Sequence, residues 1–419
     1  MRRIDGLEKS IPRGVIYAQV EQVFATQDYQ QPGALCVRLI GVSKDDFHGA
    51  TFNSEGGCRV FLVDIAIDRF VALLRVAPYG PPSIFWRSLS GRFDELAWPD
   101  GVWLRLDYAA GASDSGAYAY ELFAGIEEPT NIKPRALSFQ AGPVIAPSFG
   151  SAKVPSVVGS SPFELYAFKV GQGMCSLLHN ADSGVFFDLG AGTPIKRPNY
   201  RRKQTSTTPP GSMVNDIATM SVGKISLFAV ISHMDSDHWR LLDWDSALAL
   251  AIDDVFIPTA LGATTLPFTS VHVKPSVHLL SNHTVYDGPK PLFSTHRSKP
   301  VATDRNGECL VVGVELGGTN LLPGDYVYTR MQTDGNPQIN ALAAATLNSV
   351  VVPHHGDTKS SVVTVSPKTP SHSPAFFSAG NHAGYGHPKL VSRNAHSAAG
   401  FDKIWVPPPV EDVLAFKLA

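Results

Sequence analysis

Between positions 233 and 238 the chain reads His233-Met234-Asp235-Ser236-Asp237-His238, which places four metal-ligating side chains within six residues. They follow KISLFAVIS (224–232), a near-continuous apolar run of the kind a strand covered on both faces presents. Open α/β sheets bind ligands where their strands end, and an irregular loop there can turn positions i, i+2, i+4 and i+5 toward one point. A polar surface turn explains one such residue; it does not explain four. Two more apolar runs deliver the same residue types. TNLLPGDYVY (319–328) leads into Asp325, and NSVVVPHHG (348–356) ends on His354 and His355. Taken alone, Asp325 reads as a turn or helix-capping residue. Either adjacent histidine could be the ligand, because neighbouring loop side chains point differently.

Asp235, Asp237 and Asp325, with few imidazoles and no thiolate, make a hard, oxygen-rich donor set. Such a set favours Mn²⁺ or Mg²⁺ and leaves Zn²⁺ possible. Water between two divalent ions about 3.5–4 Å apart ionises near neutral pH, and the ions offset charge growing on an attacked phosphoryl or carbonyl oxygen. Hydrolysis is the natural reaction, with Asp237 counted among both the ligands and the catalytic residues.

The elements that must position these residues lie in the second part of the chain. FELYAFKV (163–170), CSLLHN and GVFFDLG (184–190) read as three strands joined by tight glycine turns. SMVNDIATMSV (212–222) reads as a helix, and strand–helix alternation is expected to continue to the C-terminus. Asp188 at the end of GVFFDLG could orient a motif histidine, but an Asp closing a strand before Gly is also a turn former, and the turn reading is preferred. Residues 1–141 carry short apolar runs. In VWLRLDYA (102–109), Val102, Leu104 and Leu106 alternate with Trp103, Arg105 and Asp107, the two-residue period of a half-buried strand. DRFVALLRVA (68–77) is equally a short helix, and the region is expected to be a β-rich accessory domain. GPVIAPSFGSAKVPSVVGSSP (142–162) reads as a linker and 163–419 as the second domain.

The residues VGQG (170–173), FFDLG (186–190), SHMDSDH (232–238), PGD (323–325), VPHHG (352–356) and YGHP (385–388), in this order over 163–407, resemble the successive motifs of the metallo-β-lactamase fold, specifically the ComEC-type hydrolase domain of DNA-uptake proteins. The resemblance implies an α/β protein, an αββα sandwich with two metals at one edge of its sheets. It implies His233, Asp235, Asp237 and His238 as motif ligands, Asp325 as the metal-bridging carboxylate, and His354 or His355 as the late histidine ligand. His387 would contact a substrate phosphate or donate a proton, and Gln172 would reach the site or cap its loop. Asp235 stands where the wider family has His, as in ComEC-type members. Trp239-Arg240 replaces a common Gly-Gly and is expected to narrow the groove. The family's middle histidine ligand has no obvious counterpart; His272, His278, His283 and His296 lie in the right interval.

The chain has 419 residues, 44% hydrophobic and 17% charged, enough for two folded domains. Its net charge of −2 gives no global attraction to nucleic acid or anionic membrane. Any such contact must be local, and Lys196, Arg197, Arg201, Arg202 and Lys203 form one basic loop that could track a phosphate backbone. Cys36, Cys58, Cys175 and Cys309 show no CxxC pairing, and no stretch approaches the roughly 18 apolar residues of a membrane helix, so a cytoplasmic location is expected. The leading expectation is a phosphodiesterase or nuclease acting on nucleic acid or nucleotide. A hydrolase of a small ester, lactone or amide could use the same metals with a different groove, and a non-catalytic binding module is a third possibility. The N-terminal domain could recruit a protein partner. Oligomeric state is not fixed by the sequence.

Overall fold

The computed structural model describes residues 14–29, 34–50, 57–75, 102–125, 128–143, 149–157, 161–200, 214–259, 265–299, 305–380, 382, 384–407 and 411–419. The chain divides into two compact units. Met1–Ser148 and Thr264–Val273 form the first, and Phe149–Ala263 and Lys274–Ala419 the second.

In the first unit, Val15–Thr26, Leu35–Ser43, Val60–Ala66, Ala117–Glu121, Thr130–Gln140 and Trp103–Ala110 pair in that order and close into a barrel. Closure removes the exposed strand edges an open sheet would carry. The alternation in VWLRLDYA sets the inward face. Leu104 and Leu106 join Ile16, Val37, Phe61 and Ile65 in the core, while Arg105 and Asp107 pair outside at 2.8 Å; Trp103, expected on the outward face, is instead buried against Phe47. The described part of the segment 68–77 lies in the helix Ile67–Arg75, which buries Phe70, Leu73 and Leu74 in the same core at helical spacing. Residues 264–273 belong to this unit: Cys58 N–H donates to Thr269 O at 3.0 Å, and Val271 N–H donates to Cys58 O at 2.9 Å.

The second unit holds two seven-stranded sheets. One runs Ser276–Leu280, Asp254–Pro258, Ser226–Val230, Ser183–Leu189, Cys175–His179, Glu164–Lys169, Leu414–Lys417. The other runs His283–Asp287, Lys290–Arg297, Leu310–Glu315, Thr319–Leu322, Ser349–Val351, Pro374–Phe376, Asp402–Ile404. They share one apolar core, to which the first gives Leu165, Val185, Phe187 and Phe228 and the second gives Phe293, Val312, Leu322 and Val351. Phe187 and Phe293 meet edge to face at 5.2 Å. The far side of the second sheet is covered by Tyr328, Met331, Ile339 and Leu342 from the helices Tyr328–Thr333 and Pro337–Ala344.

Two expectations change here. Strand–helix alternation, which resumes with the helices Tyr328–Thr333 and Pro337–Ala344 before Ser349–Val351, is interrupted after Ser276–Leu280. The chain then makes antiparallel turns through Thr319–Leu322, because strands 283–287, 290–297, 310–315 and 319–322 each pair with the next. Part of the stretch read as linker also packs into the second unit. Val154 is 3% exposed in the shared core, and Ser151 bridges Leu279 beside the edge strand. Among the described residues no helix is long and apolar enough to cross a membrane. All four cysteines are buried and free.

Candidate metal centre

Ser183–Leu189 and Ser226–Val230 run parallel, as do Thr319–Leu322 and Ser349–Val351. Their C-terminal ends deliver Asp188, the 233–238 loop, Asp325 and the His354-His355 pair to one place. A β-bulge aims Asp188. Cys175 pairs with Leu189 and Ser176 with Phe187, so Asp188 is the extra residue, at φ 59°. Its carboxylate accepts from Ser232 N–H at 2.6 Å and Ser232 Oγ at 2.9 Å, and it lies 2.8 Å from His238 Nδ1. The preferred turn reading of Asp188 is therefore corrected: the side chain fixes which nitrogen His238 turns outward. Gly190 must be glycine, since a Cβ there would fall 1.5 Å from Asp237 O. That contact lays the ligand loop against the strand end.

Asp325 sits at the middle of the cluster. One oxygen lies 3.3 Å from His238 Nε2 and 3.7 Å from His355 Nε2; the other lies 3.6 Å from His354 Nε2 and 3.8 Å from His233 Nε2. Asp235 approaches His233 Nε2 at 3.5 Å, and Asp237 approaches His355 Nε2 at 3.2 Å. The trios His233, His238, Asp325 and Asp237, His238, His355 each bring ligand atoms within 4.8 Å of one another. His233 Nε2, His238 Nε2, His355 Nε2 and Asp325 Oδ1 are buried without a hydrogen-bond partner. A buried polar atom left this way costs about 1–3 kcal/mol, so four of them converging on one point fit a cation well.

His354 and His355 are both brought to Asp325, on opposite oxygens. Successive left-handed residues make this possible, with φ 48° at His354, 55° at His355 and 75° at Gly356. Each non-glycine residue in that region costs roughly 1–2 kcal/mol, strain of the kind that collects at working sites. Each ring is tied from behind: His354 Nδ1 lies 3.1 Å from Asp357, and His355 Nδ1 lies 2.8 Å from Ser378 O. Those bonds leave the Nε2 atoms facing the cluster, as second partners do for metal-binding histidines.

The electrostatics match. Burial would lower His238, but the Asp188 and Asp325 carboxylates outweigh it and hold the imidazole well above its usual value. Against the same burial penalty, Asp325 and Asp357 push His354 up to about 9. Asp237 and Asp325 are held low despite burial, through the neighbouring histidines. The carboxylates thus draw positive charge onto whatever stands among them. His387 goes the other way: burial, then the neighbouring His354 and His355, push it down to about 3. It is a neutral ring stacked on His355 at 6.3 Å, with its Nδ1 3.4 Å from Gln172 Nε2.

Several expectations fail or fall outside the described residues. Arg197 does not track a ligand: it is 0% exposed and ion-paired with the buried Asp243. Lys196 is half-buried, and Arg201, Arg202 and Lys203 lie outside the described residues. Trp239 and Arg240 do not narrow a groove. Trp239 is 1% exposed, its Nε1 donating to Met234 O, and Arg240 is 6% exposed, donating to Ser236 Oγ. None of the four candidates for a middle histidine joins the cluster. His272 pairs with Glu121 in the first unit, His278 with Asp254, His296 faces Ser294, and His283 lies on an edge strand. Sequence reasoning missed Ser232, Asn306, Asp357 and Ser378. For Asp357 a signal was present, since it stands three residues beyond His354 in a tight turn, and Ser232 directly precedes His233; Ser378 acts through its backbone carbonyl and Asn306 reaches His354 across 48 residues.

No protein-family model and no curated protein matches the sequence. Among solved structures, the chain is similar to a protein of unknown function from Enterococcus faecalis V583 (12% identity, TM-score 0.29, 52% of this chain and 55% of that one). It is also similar to a CmlA β-hydroxylase mutant (10%, 0.35, 62% and 55%) and to the metallo-β-lactamase fold protein YhfI from Bacillus subtilis (10%, 0.33, 60% and 100%). The chain thus spans about half the length of the first two.

Proposed function

We propose that this chain is a metal-dependent hydrolase of the metallo-β-lactamase fold, an αββα sandwich preceded by a β-barrel, that cleaves phosphodiesters of nucleic acid or nucleotides in the cytoplasm. The observation that carries the reading is the set of buried, partnerless ligand atoms around Asp325. His233, Asp235, His354 and one Asp325 oxygen would hold one divalent ion; Asp237, His238, His355 and the other oxygen would hold a second. His354 then stands in for the middle histidine that the sequence lacks. Each ion would meet two imidazole nitrogens and two carboxylate oxygens, so the set is mixed and richer in nitrogen than the sequence suggested; its carboxylate half keeps Mn²⁺ favoured, with Zn²⁺ possible. Bound ions of this kind supply Lewis-acid charge and activate water.

The chain's own residues do the positioning. Asp188, Asp357 and the Ser378 carbonyl each hold one imidazole by its Nδ1. His387, neutral and backed by Gln172, presents its remaining nitrogen beside His354 and His355, where a substrate oxygen would sit. The burial of Arg197 removes one charge from the basic loop, so the phosphodiester preference rests on the donor set and on the motif resemblance.

Metal analysis of the purified chain, joined to a panel of DNA, RNA, a generic phosphodiester, a small ester and a lactone, tests the proposal. Bound divalent metal and phosphodiester cleavage abolished by Asp237→Asn are expected. Full turnover by Asp237→Asn would overturn the site, and cleavage confined to the ester or lactone would replace the substrate class.

A further inference from the structure

Asn306 sits on the short turn Arg305–Gly307, ahead of the strand Leu310–Glu315. The turn is tied down. Ser298 Oγ donates to Gly307 O at 2.6 Å, Cys309 N–H donates to Ser298 Oγ at 2.8 Å, and Leu310 N–H donates to Ser232 O at 2.8 Å, next to His233. From this anchored turn the Asn306 amide reaches His354 Nε2 at 3.3 Å. The other nitrogen of His354 is already engaged by Asp357, so Nε2 is the atom left to face Asp325.

An imidazole nitrogen accepts one partner at a time, proton, donor or cation. While Nε2 carries a proton the Asn306 amide can meet it only through its oxygen, and while Nε2 is bare only through its N–H; once a cation takes Nε2 neither arrangement is left, while the Asn306 backbone stays fixed. A half-buried amide with two N–H donors is then left beside the ion, on the side where His354 is 27% exposed. Donors held next to a cation in a partly dehydrated cleft are the arrangement that stabilises an anionic oxygen.

Resting on the metal reading above, we propose that Asn306 is a substrate-binding residue: it gives up His354 when metal is loaded and donates instead to an anionic oxygen of a phosphate-class ligand. A residue that merely oriented His354 would behave oppositely, since its loss would weaken metal binding.

Calorimetry on the full chain separates the two. Mn²⁺ is added to metal-free wild type, Asn306→Ala and Asn306→Asp, and inorganic phosphate is then added to each Mn²⁺-saturated protein. Mn²⁺ affinity is expected to be unchanged or higher in both variants, because a competitor for Nε2 is gone. Phosphate affinity should fall by about 10-fold in Asn306→Ala, the usual worth of a hydrogen bond to a charged group, and further in the isosteric, repulsive Asn306→Asp. Mn²⁺ affinity down by about 10-fold or more in Asn306→Ala, with phosphate binding intact, would make Asn306 an orienting residue and overturn the proposal. Saturated wild type that binds no phosphate would overturn it as well. Wild type that binds neither Mn²⁺ nor Zn²⁺ would remove the metal reading itself, a distinct result.

Discussion

Asp188→Asn tests the support behind the ligands without touching a ligand. The φ of 59° at position 188 suits Asn as well as Asp, so the bulge should survive the change. One side-chain oxygen can still accept from Ser232 N–H. The other, which faces both Ser232 Oγ and His238 Nδ1, becomes an NH₂ group. His238 must then offer Nδ1 as an acceptor and carry its proton on Nε2, the atom that points to Asp325 and Asp237. Losing the partner behind a metal-binding histidine typically costs about 10–100-fold in metal affinity, or about 1.4–2.7 kcal/mol. Competition with a chelator measures that loss, and thermal unfolding of the metal-free protein reports whether the fold has changed. Weakened metal binding with a melting temperature within a few degrees of wild type is the expected outcome. Metal affinity within twofold of wild type would refute the assignment of His238 Nε2 as a ligand atom.

Metal-free protein should lose stability as pH rises. The folded-state pKa of His354 is raised to about 9, so its contribution is fully present below the unfolded value near 6.5 and is lost as pH climbs through about 9. Melting temperatures from pH 6 to 9.5 should fall, and His354→Gln should flatten the slope. At position 354 the usual order of Ala and Gly should invert, with His354→Gly unfolding at higher denaturant than His354→Ala by about 1 kcal/mol, because φ is 48°. Breaking the buried Arg197–Asp243 pair with Arg197→Ala should cost about 3–5 kcal/mol in urea unfolding, and joint replacement by Met and Leu should recover most of it. Chelation followed by reloading should restore more activity with Mn²⁺ than with Zn²⁺; recovery with Zn²⁺ alone would contradict the donor-set argument.

The legible parts of the fold were those written in local period and burial. The alternation at 102–107 placed Leu104 and Leu106 inside, and the run 224–232 was a strand with Leu227, Phe228, Ala229 and Val230 all buried. The misread parts depended on partners distant in sequence. Val154 looks like linker chemistry among Gly, Pro and Ser, yet it packs against two sheets formed elsewhere in the chain. Arg197 sits in a basic run that reads as solvated, and only the fold brings Asp243 to it, 46 residues away.

The candidate site divides along the same line. His233, Asp235, Asp237 and His238 were conspicuous because one loop carries them all. Their geometry is set by atoms with no local signature: the Gly190 backbone against Asp237 O, Ser232 shared between Asp188 and two histidines, and Asn306 on His354. The choice between His354 and His355 shows the limit most clearly. Sequence poses it as either one, since adjacent side chains normally diverge. Two consecutive left-handed residues reverse that expectation and set the rings on opposite oxygens of Asp325. A conformation costing roughly 1–2 kcal/mol per residue persists only where the surroundings hold it. Here Asp357 and Ser378 O grip the two Nδ1 atoms, so the strain is offset by contacts that also choose which nitrogen faces the cluster. On the proposed metal reading the missing middle histidine and the second late one become one question, which His354 would answer.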